Sequence, residues 1–298
     1  IAFGTFAATL ARVPKRFALF EGLGYAFTDR PSWSLKGALM HVLLVCLFKP
    51  ALFLLSGALF LNEDDRDALC GGRFLKPKKN KILKGIGVPN VFFRSSPVPT
   101  KPFTFLFIGR LIGDKGIREF VEAAAIVKKN YPETSFQVVG DLDLDNPSAL
   151  SHKAYTKLQE SSPHITWMGA IKNIRPILKE ASMLVLPSYR EGSPRTIQEA
   201  MAMGRPILTT RVPGCRQTVQ EGKTGFLVPP HAPATLAQKM VYCLKHQGQI
   251  RLMGKHAHNA ALAHYKEDDI CAEIFSFLTD EKKAELKVTL RTQTRKAV

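Results

Sequence analysis

Two kinds of apolar pattern divide the chain. From Ala38 to Leu61 the residues are nearly all apolar, interrupted chiefly by His41 and the Lys49-Pro50 pair. The stretch is long enough to span a bilayer, but a lysine near the centre of a span costs roughly 2.5–3.5 kcal/mol. It divides more naturally into a very apolar helix, Leu39–Phe48 continuing past Pro50 to about Leu55, and a buried strand, Ala58–Leu61, leading into Asn62-Glu63-Asp64-Asp65. A core helix, a helix lying against a membrane, and a true span or re-entrant segment all remain open on periodicity alone.

Beyond Pro97-Val-Pro-Thr-Lys-Pro102, which reads as a linker, short apolar runs alternate with helical patterns. Strands are expected at Phe103–Ile108, Ser135–Val139, Ile165–Met168, Met183–Leu186, Pro206–Thr210 and Gly225–Val228. Helices are expected at Ile117–Asn130, Ile174–Glu180, Arg195–Met203, Pro233–Lys245 and Gln249–His264. Such alternation predicts an α/β fold with a doubly wound parallel sheet. Ligands of such sheets sit at the carboxyl ends of the strands.

Length and charge narrow the function. A chain of 298 residues has room for two domains. With 45% hydrophobic and 22% charged residues, collagen-like, disulfide-scaffold and wholly disordered classes are excluded. Lys and Arg number 42 against 25 Asp and Glu, giving +17 and pointing to an anionic partner. The run Arg73, Lys76, Lys78, Lys79, Lys81 and Lys84 is either a solvated face or a site of attraction to anionic lipid heads. No basic motif interleaved with aromatics is present, so nucleic acid is not an expected partner. Five cysteines (Cys46, Cys70, Cys215, Cys243, Cys271) without CxxC spacing fit a reducing cytosol. The opening residues from Ile1 read as the middle of an element, with no signal peptide, so a missing true N-terminus is expected.

The segments after the strands carry the candidate chemistry. Gly109-Arg110-Leu-Ile-Gly-Asp-Lys115-Gly116 joins a glycine turn, two cations and a helix start, a plausible cradle for a diphosphate. It is neither a Walker loop nor a GxGxxG fingerprint. In Pro187-Ser-Tyr-Arg-Glu191-Gly-Ser-Pro-Arg-Thr-Ile-Gln-Glu199, Glu191 could accept hydrogen bonds from sugar hydroxyls. Gly192 and Ser193 offer backbone amides to phosphate, and Glu199 on the helix could take a pair of ribose hydroxyls. A capped amphipathic helix with both glutamates in water is the bland alternative. Asp141-Leu-Asp143-Leu-Asp145 could hold a divalent metal, but a solvated acidic loop is favoured. None of the eight histidines sits in a nucleophile motif.

Together, Gly109-Arg110…Lys115-Gly116, Glu191-x7-Glu199, AlaMetAlaMetGlyArgProIle, ValProGlyCys and GlyLysThrGlyPheLeuValPro resemble glycosyltransferase family 4, retaining enzymes of the GT-B type. The resemblance runs from about Phe103 to Phe277. It continues upstream in Glu21-Gly-Leu-Gly-Tyr-Ala-Phe-Thr28, Asn62-Glu-Asp-Asp65 and Gly85-Ile-Gly87-Val88. It is nearest to bacterial transferases that build surface glycans, lipopolysaccharide or capsule, on polyprenyl diphosphate lipids.

The resemblance implies two Rossmann-like domains. Residues 1–99 would be the later part of an acceptor-binding domain, 100–278 a complete nucleotide-sugar domain and 279–298 a basic tail containing Lys282, Lys283, Lys287, Arg291, Arg295 and Lys296. It implies transfer of a sugar, galactose or an N-acetylated amino sugar, from a UDP donor to a lipid-linked glycan acceptor, with retention. Arg110 and Lys115 would neutralise the departing diphosphate, so no metal or other cofactor would be required. Glu191 would sit against the transferred sugar. Gly192, Ser193 and Pro194 would shape its pocket, and Glu199 would hold the ribose. Gly109, Gly140 and Thr196 complete the expected donor site. A cleft closing on the donor would exclude water. The expected location is the cytoplasm, peripheral on the inner face of the cytoplasmic membrane, against its anionic surface. Two departures stand out: Pro89 where the family commonly has Asp after Gly-x-Gly-Val, and the absence of the opening strand–helix units with their glycine-rich loop. A non-catalytic remnant that binds sugar nucleotides is the alternative those departures raise.

Overall fold

The computed structural model describes residues 1–24, 27, 35–71 and 77–279. Arg73, Lys76, the Tyr25, Ala26 and Thr28 positions and the basic tail from Asp280 lie outside the described residues. The chain forms two compact units, residues 1–87 with 264–298, and residues 88–263.

The first unit holds α1 (Ala2–Leu10), β1 (Phe17–Phe20), α2 (Leu35–Leu54), β2 (Gly57–Phe60), α3 (Glu63–Cys70), β3 (Asn80–Ile82) and, from the end of the described chain, α11 (Glu267–Thr279). Its strands form a parallel sheet in the order β1-β2-β3. α2 and β2 form as their apolar pattern predicts. Leu52 and Leu55 pack with Phe20, Phe60 and Leu69 on one face of the sheet, where the Phe20 and Phe60 rings stack 4.9 Å apart. α3 starts at Asn62, whose side-chain oxygen accepts from the Asp65 N–H at 2.8 Å while its amide donates to the Asp65 carboxylate at 3.0 Å. The acidic Asn62–Asp65 run is therefore a buried helix cap, with three carboxylates in the first turn, where the helix dipole favours them. Among the described residues no helix is long and apolar enough to cross a membrane.

The second unit follows the expected alternation: β4 (Thr104–Ile108), α4 (Ile117–Lys128), β5 (Ser135–Val139), α5 (His152–Glu160), β6 (Ile165–Trp167), α6 (Arg175–Glu180), β7 (Met183–Leu186), α7 (Arg195–Ala202), β8 (Ile207–Thr210), α8 (Cys215–Thr218), β9 (Gly225–Val228), α9 (Pro233–Lys245) and α10 (Gln247–His264). Its parallel sheet has the order β6-β5-β4-β7-β8-β9. β4, β7 and β8 are buried at every position, as strands covered by helices on both faces must be. The chain winds outward from β4 to β6, then returns to wind outward from β7 to β9. The switch point lies between β4 and β7, where such sheets bind ligands. α5 was not expected: apolar residues are sparse in it, and the signal is its cap, Ser151, whose hydroxyl accepts from the Ala154 N–H at 3.2 Å.

The unit boundaries differ from those read in the sequence. Residues 88–99 pack with the second unit, not the first, because Arg205 and Ser182 hold them. Arg205 is fully buried and donates to the Ser96 and Pro97 carbonyls and to the Ser96 hydroxyl. Ser182 donates to the Pro99 carbonyl at 2.7 Å. α11 belongs to the first unit because Phe277 packs on Leu59, Leu61 and Leu83. Lys79 lies against the Phe17 and Phe277 rings, and Lys81 pairs with Glu273 at 2.9 Å.

Candidate functional site

At the β4–β7 switch point two loops meet. Gly116 ends a short 3-10 turn (Gly113–Lys115) and begins α4 in the left-handed conformation, φ 72°. A Cβ there would stand 2.1 Å from the Pro187 carbonyl oxygen, so only glycine lets the start of α4 reach the loop after β7. The Tyr189 N–H donates to the Asp114 carbonyl at 2.9 Å, fastening the same junction. This approach brings Lys115 Nζ to Glu191 Oε1 at 2.5 Å, with their side chains 18% and 10% exposed. Ser188 Oγ donates to the same carboxylate oxygen at 2.7 Å. The Glu191 N–H in turn donates to Pro213 O at 3.0 Å, tying in the loop after β8. Beneath lies Cys215, whose thiol is pushed up to about 12 by burial and by the Glu191 charge.

The neighbouring β4 and β5 ends are equally close. A Cβ on Gly140 would lie 1.9 Å from the Gly109 carbonyl oxygen. Here Arg110 Nη1 meets Asp143 Oδ2 at 2.5 Å, with Arg110 58% exposed. The two residues line a cavity of about 450 Å³ together with Gly109, Gly140, Ile171 and Ile174. Residues at the ends of β4 and β5 line it on the polar side, and Ile171 and Ile174 add apolar surface.

Gly192, Ser193 and Pro194 are buried ahead of α7. Gln198 fixes Ser193 by donating to its hydroxyl at 2.7 Å and its carbonyl at 3.3 Å. Thr196 is half-buried in the first turn of α7. Glu199 accepts from Arg195 Nε at 2.9 Å, and its side chain is 9% exposed. Burial pushes its carboxyl pKa up, and Arg195 opposes that shift. The bland reading, with both glutamates in water, is thus overturned: each is shielded and paired. The structure gathers Lys115 with Glu191 and Arg110 with Gly140, while Glu199 stands one turn into α7, paired with Arg195 at its start.

Several partners were not singled out as site residues. Ser188 and Gln198 position Glu191 and Ser193, yet neither spacing marks them. Tyr189 donates to Glu119 and packs against His231, the rings tilted by 39° with centroids 3.8 Å apart. Asp143 was legible only as part of an acidic triplet, and in the structure it belongs to Arg110. Among the described residues no group of three or more His, Cys, Asp or Glu gathers as a metal site needs.

Residues 102–246 match the model of the family described as glycosyl transferases group 1. The chain is 29% identical over 295 residues to the N,N'-diacetylbacillosaminyl-diphospho-undecaprenol alpha-1,3-N-acetylgalactosaminyltransferase of Campylobacter jejuni, covering 93% of this chain and 73% of that protein. It is 27% identical to the UDP-Gal:alpha-D-GlcNAc-diphosphoundecaprenol alpha-1,3-galactosyltransferase of Escherichia coli, covering 76% of this chain and 59% of that protein. The chain thus spans between about three-fifths and three-quarters of these relatives' length. A solved Anabaena protein in complex with UDP and glucose superposes with a TM-score of 0.72 at 20% identity, over 93% of this chain and 74% of that one. That likeness shows the fold. The strand order, the switch-point loops and these matches together show parallel-sheet units of the GT-B fold, the second of which is similar to the glycosyl transferases group 1 family over residues 102–246.

Proposed function

We propose that this chain is a retaining glycosyltransferase of surface-polysaccharide synthesis. It moves a sugar, galactose or an N-acetylated amino sugar, from UDP to a glycan carried on a polyprenyl diphosphate lipid. The observation that carries the reading is the shielded Lys115–Glu191 pair beside Gly109-Arg110 at the switch point. The two relatives named above support the acceptor class, since both names specify a diphospho-undecaprenol acceptor. The UDP held by the Anabaena protein supports the base.

The residues divide the work by chemistry. As the bond between sugar and diphosphate breaks, negative charge grows on the leaving oxygen, and Lys115 and Arg110 meet it. Arg110 is mostly exposed, so its pair with Asp143 is weak in water and a diphosphate displaces the carboxylate at small cost. Glu191, held by Lys115 and Ser188, faces the transferred sugar beside the buried Gly192–Pro194 turn. Thr196 lies at the same end of α7, and Glu199 accepts hydrogen bonds from the ribose hydroxyls. Cations supply the countercharge, and no metal is needed. The protein works on the inner face of the cytoplasmic membrane, where a nucleotide sugar and an anionic lipid surface meet, and its anionic partner is lipid, not nucleic acid.

Calorimetric titration with UDP, GDP and ADP, first in chelator and then with magnesium, tests this. Saturable UDP binding in chelator is the expected result. Binding of none of the three overturns the donor site. Binding that appears only with magnesium overturns the metal-free reading, and binding of GDP alone replaces the base.

A further inference from the structure

α2 is apolar on the face it turns outward as well as on the face it buries. Inward, Leu44, Val45, Phe48, Leu52 and Leu55, just past the helix end, join the core of the first unit. Outward, Leu39, Leu43, Cys46, Pro50 and Phe53 fall at successive spacings of four and three, a single stripe along the helix. All five are exposed, Leu39 at 69%, Leu43 at 63% and Phe53 at 60%. A helix apolar all round belongs in apolar surroundings on both sides, and α2 is not long and apolar enough to cross a membrane. α1 packs beside it and exposes Phe3 and Leu10.

Charge selects what covers this face. Neither Ile1–Phe20 nor Leu35–Leu61 contains an Asp or Glu, and their charges are Arg12, Lys15, Arg16, Lys36 and Lys49. Arg16 fastens the cationic turn after α1 to the C-terminal end of α2: its Nε donates to Leu54 O at 2.8 Å and its N–H to Ser56 Oγ at 3.1 Å. Exposed Arg12 and Lys15 therefore lie at the Phe53 end of the stripe. The unit's described carboxylates are concentrated on α3 and α11. A second copy of this face would set cation against cation with no carboxylate to pair. An anionic bilayer answers both features, with apolar side chains in the acyl boundary and cations at the headgroups.

We propose that the outward stripe of α2, with the Arg12–Arg16 turn at its end, is the surface by which this protein lies on an anionic bilayer. The inference rests on the lipid-linked acceptor proposed above and names the residues that meet the membrane.

Sedimentation of the 298-residue protein with vesicles tests it, comparing phosphatidylethanolamine containing about a third phosphatidylglycerol with pure phosphatidylcholine. The unaltered protein is expected to sediment with the anionic vesicles and much less with the neutral ones. The triple variant Leu39→Gln, Leu43→Gln, Phe53→Ser is expected to lose about tenfold or more of that partition. Arg12→Glu with Lys15→Glu is expected to weaken binding to anionic vesicles alone. All three apolar positions are exposed, so unchanged circular dichroism and unchanged UDP binding show that the variant folds. Partition of the triple variant equal to that of the unaltered protein overturns the proposal. So does a dimer that the triple variant converts to monomer, which would assign the face to a second copy. UDP calorimetry on the same samples separates the readings: a protein that binds vesicles but no nucleotide keeps the docking face and loses the donor site.

Discussion

At Glu199, burial and the Arg195 guanidinium pull the carboxyl in opposite directions, and burial wins. Its pKa is higher folded than unfolded, so its contribution to stability is fully present below the ordinary carboxylate value and is lost as pH rises through the raised one. Glu199→Gln is therefore expected to gain stability over the unaltered protein near neutral pH and to lose that advantage in acid, as read by urea midpoints at several pH values. Glu199→Ala removes a charged acceptor, worth about 1.5–3 kcal/mol, and should weaken UDP binding about tenfold or more in calorimetry. An unchanged dissociation constant would remove the ribose role. Lys115 makes a different demand. If it meets charge that appears only as the leaving group departs, Lys115→Ala should lower kcat about a hundredfold or more with a much smaller change in KM. A rise in KM with kcat unchanged would make it a binding residue instead.

Among elements, the helix and strand expectations between Pro97 and His264 each form within two residues of their expected bounds. The reason is that the central strands β4, β7 and β8 are buried at every position, and the strands read as short apolar runs between glycine, proline and polar turns. Elements outside that pattern were harder. α5 has few apolar positions. The linker is the clearest departure. Its Pro-rich composition reads as a linker between units, yet Arg205 binds its start to the second unit. Burial lowers the Arg205 pKa to about 10, still charged at neutral pH, and it reaches the Ala181 carbonyl at 2.9 Å as well as residues 96 and 97. Arg205→Ala leaves several buried carbonyls without a donor and is expected to cost about 3 kcal/mol or more, measured by urea unfolding. Arg205→Lys should recover only part, since an ammonium cannot reproduce the planar fork.

For the whole molecule, the proposed donor residues all lie in the second unit. UDP is expected to slow amide hydrogen exchange in the loops after β4, β5 and β7 of the second unit, around Gly109–Gly116, Gly140–Asp143 and Ser188–Ser193. Protection confined to the first unit would contradict the donor site. Periodicity alone determined the second unit's parallel sheet, its strands, its longer helices and the strand ends where the chemistry gathers, because a buried strand and an amphipathic helix each write their burial locally along the chain. The spacing of Glu191 and Glu199 was equally legible. Tertiary structure alone decided that Lys115 and Glu191 pair across 76 residues and Arg110 and Asp143 across 33. It also decided that α11 returns to the first unit and that one apolar side of α2 faces outward. These are long-range facts. They depend on which strand ends the winding of the sheet brings together, and a one-dimensional pattern records how much apolar surface a helix has but not which neighbour takes it.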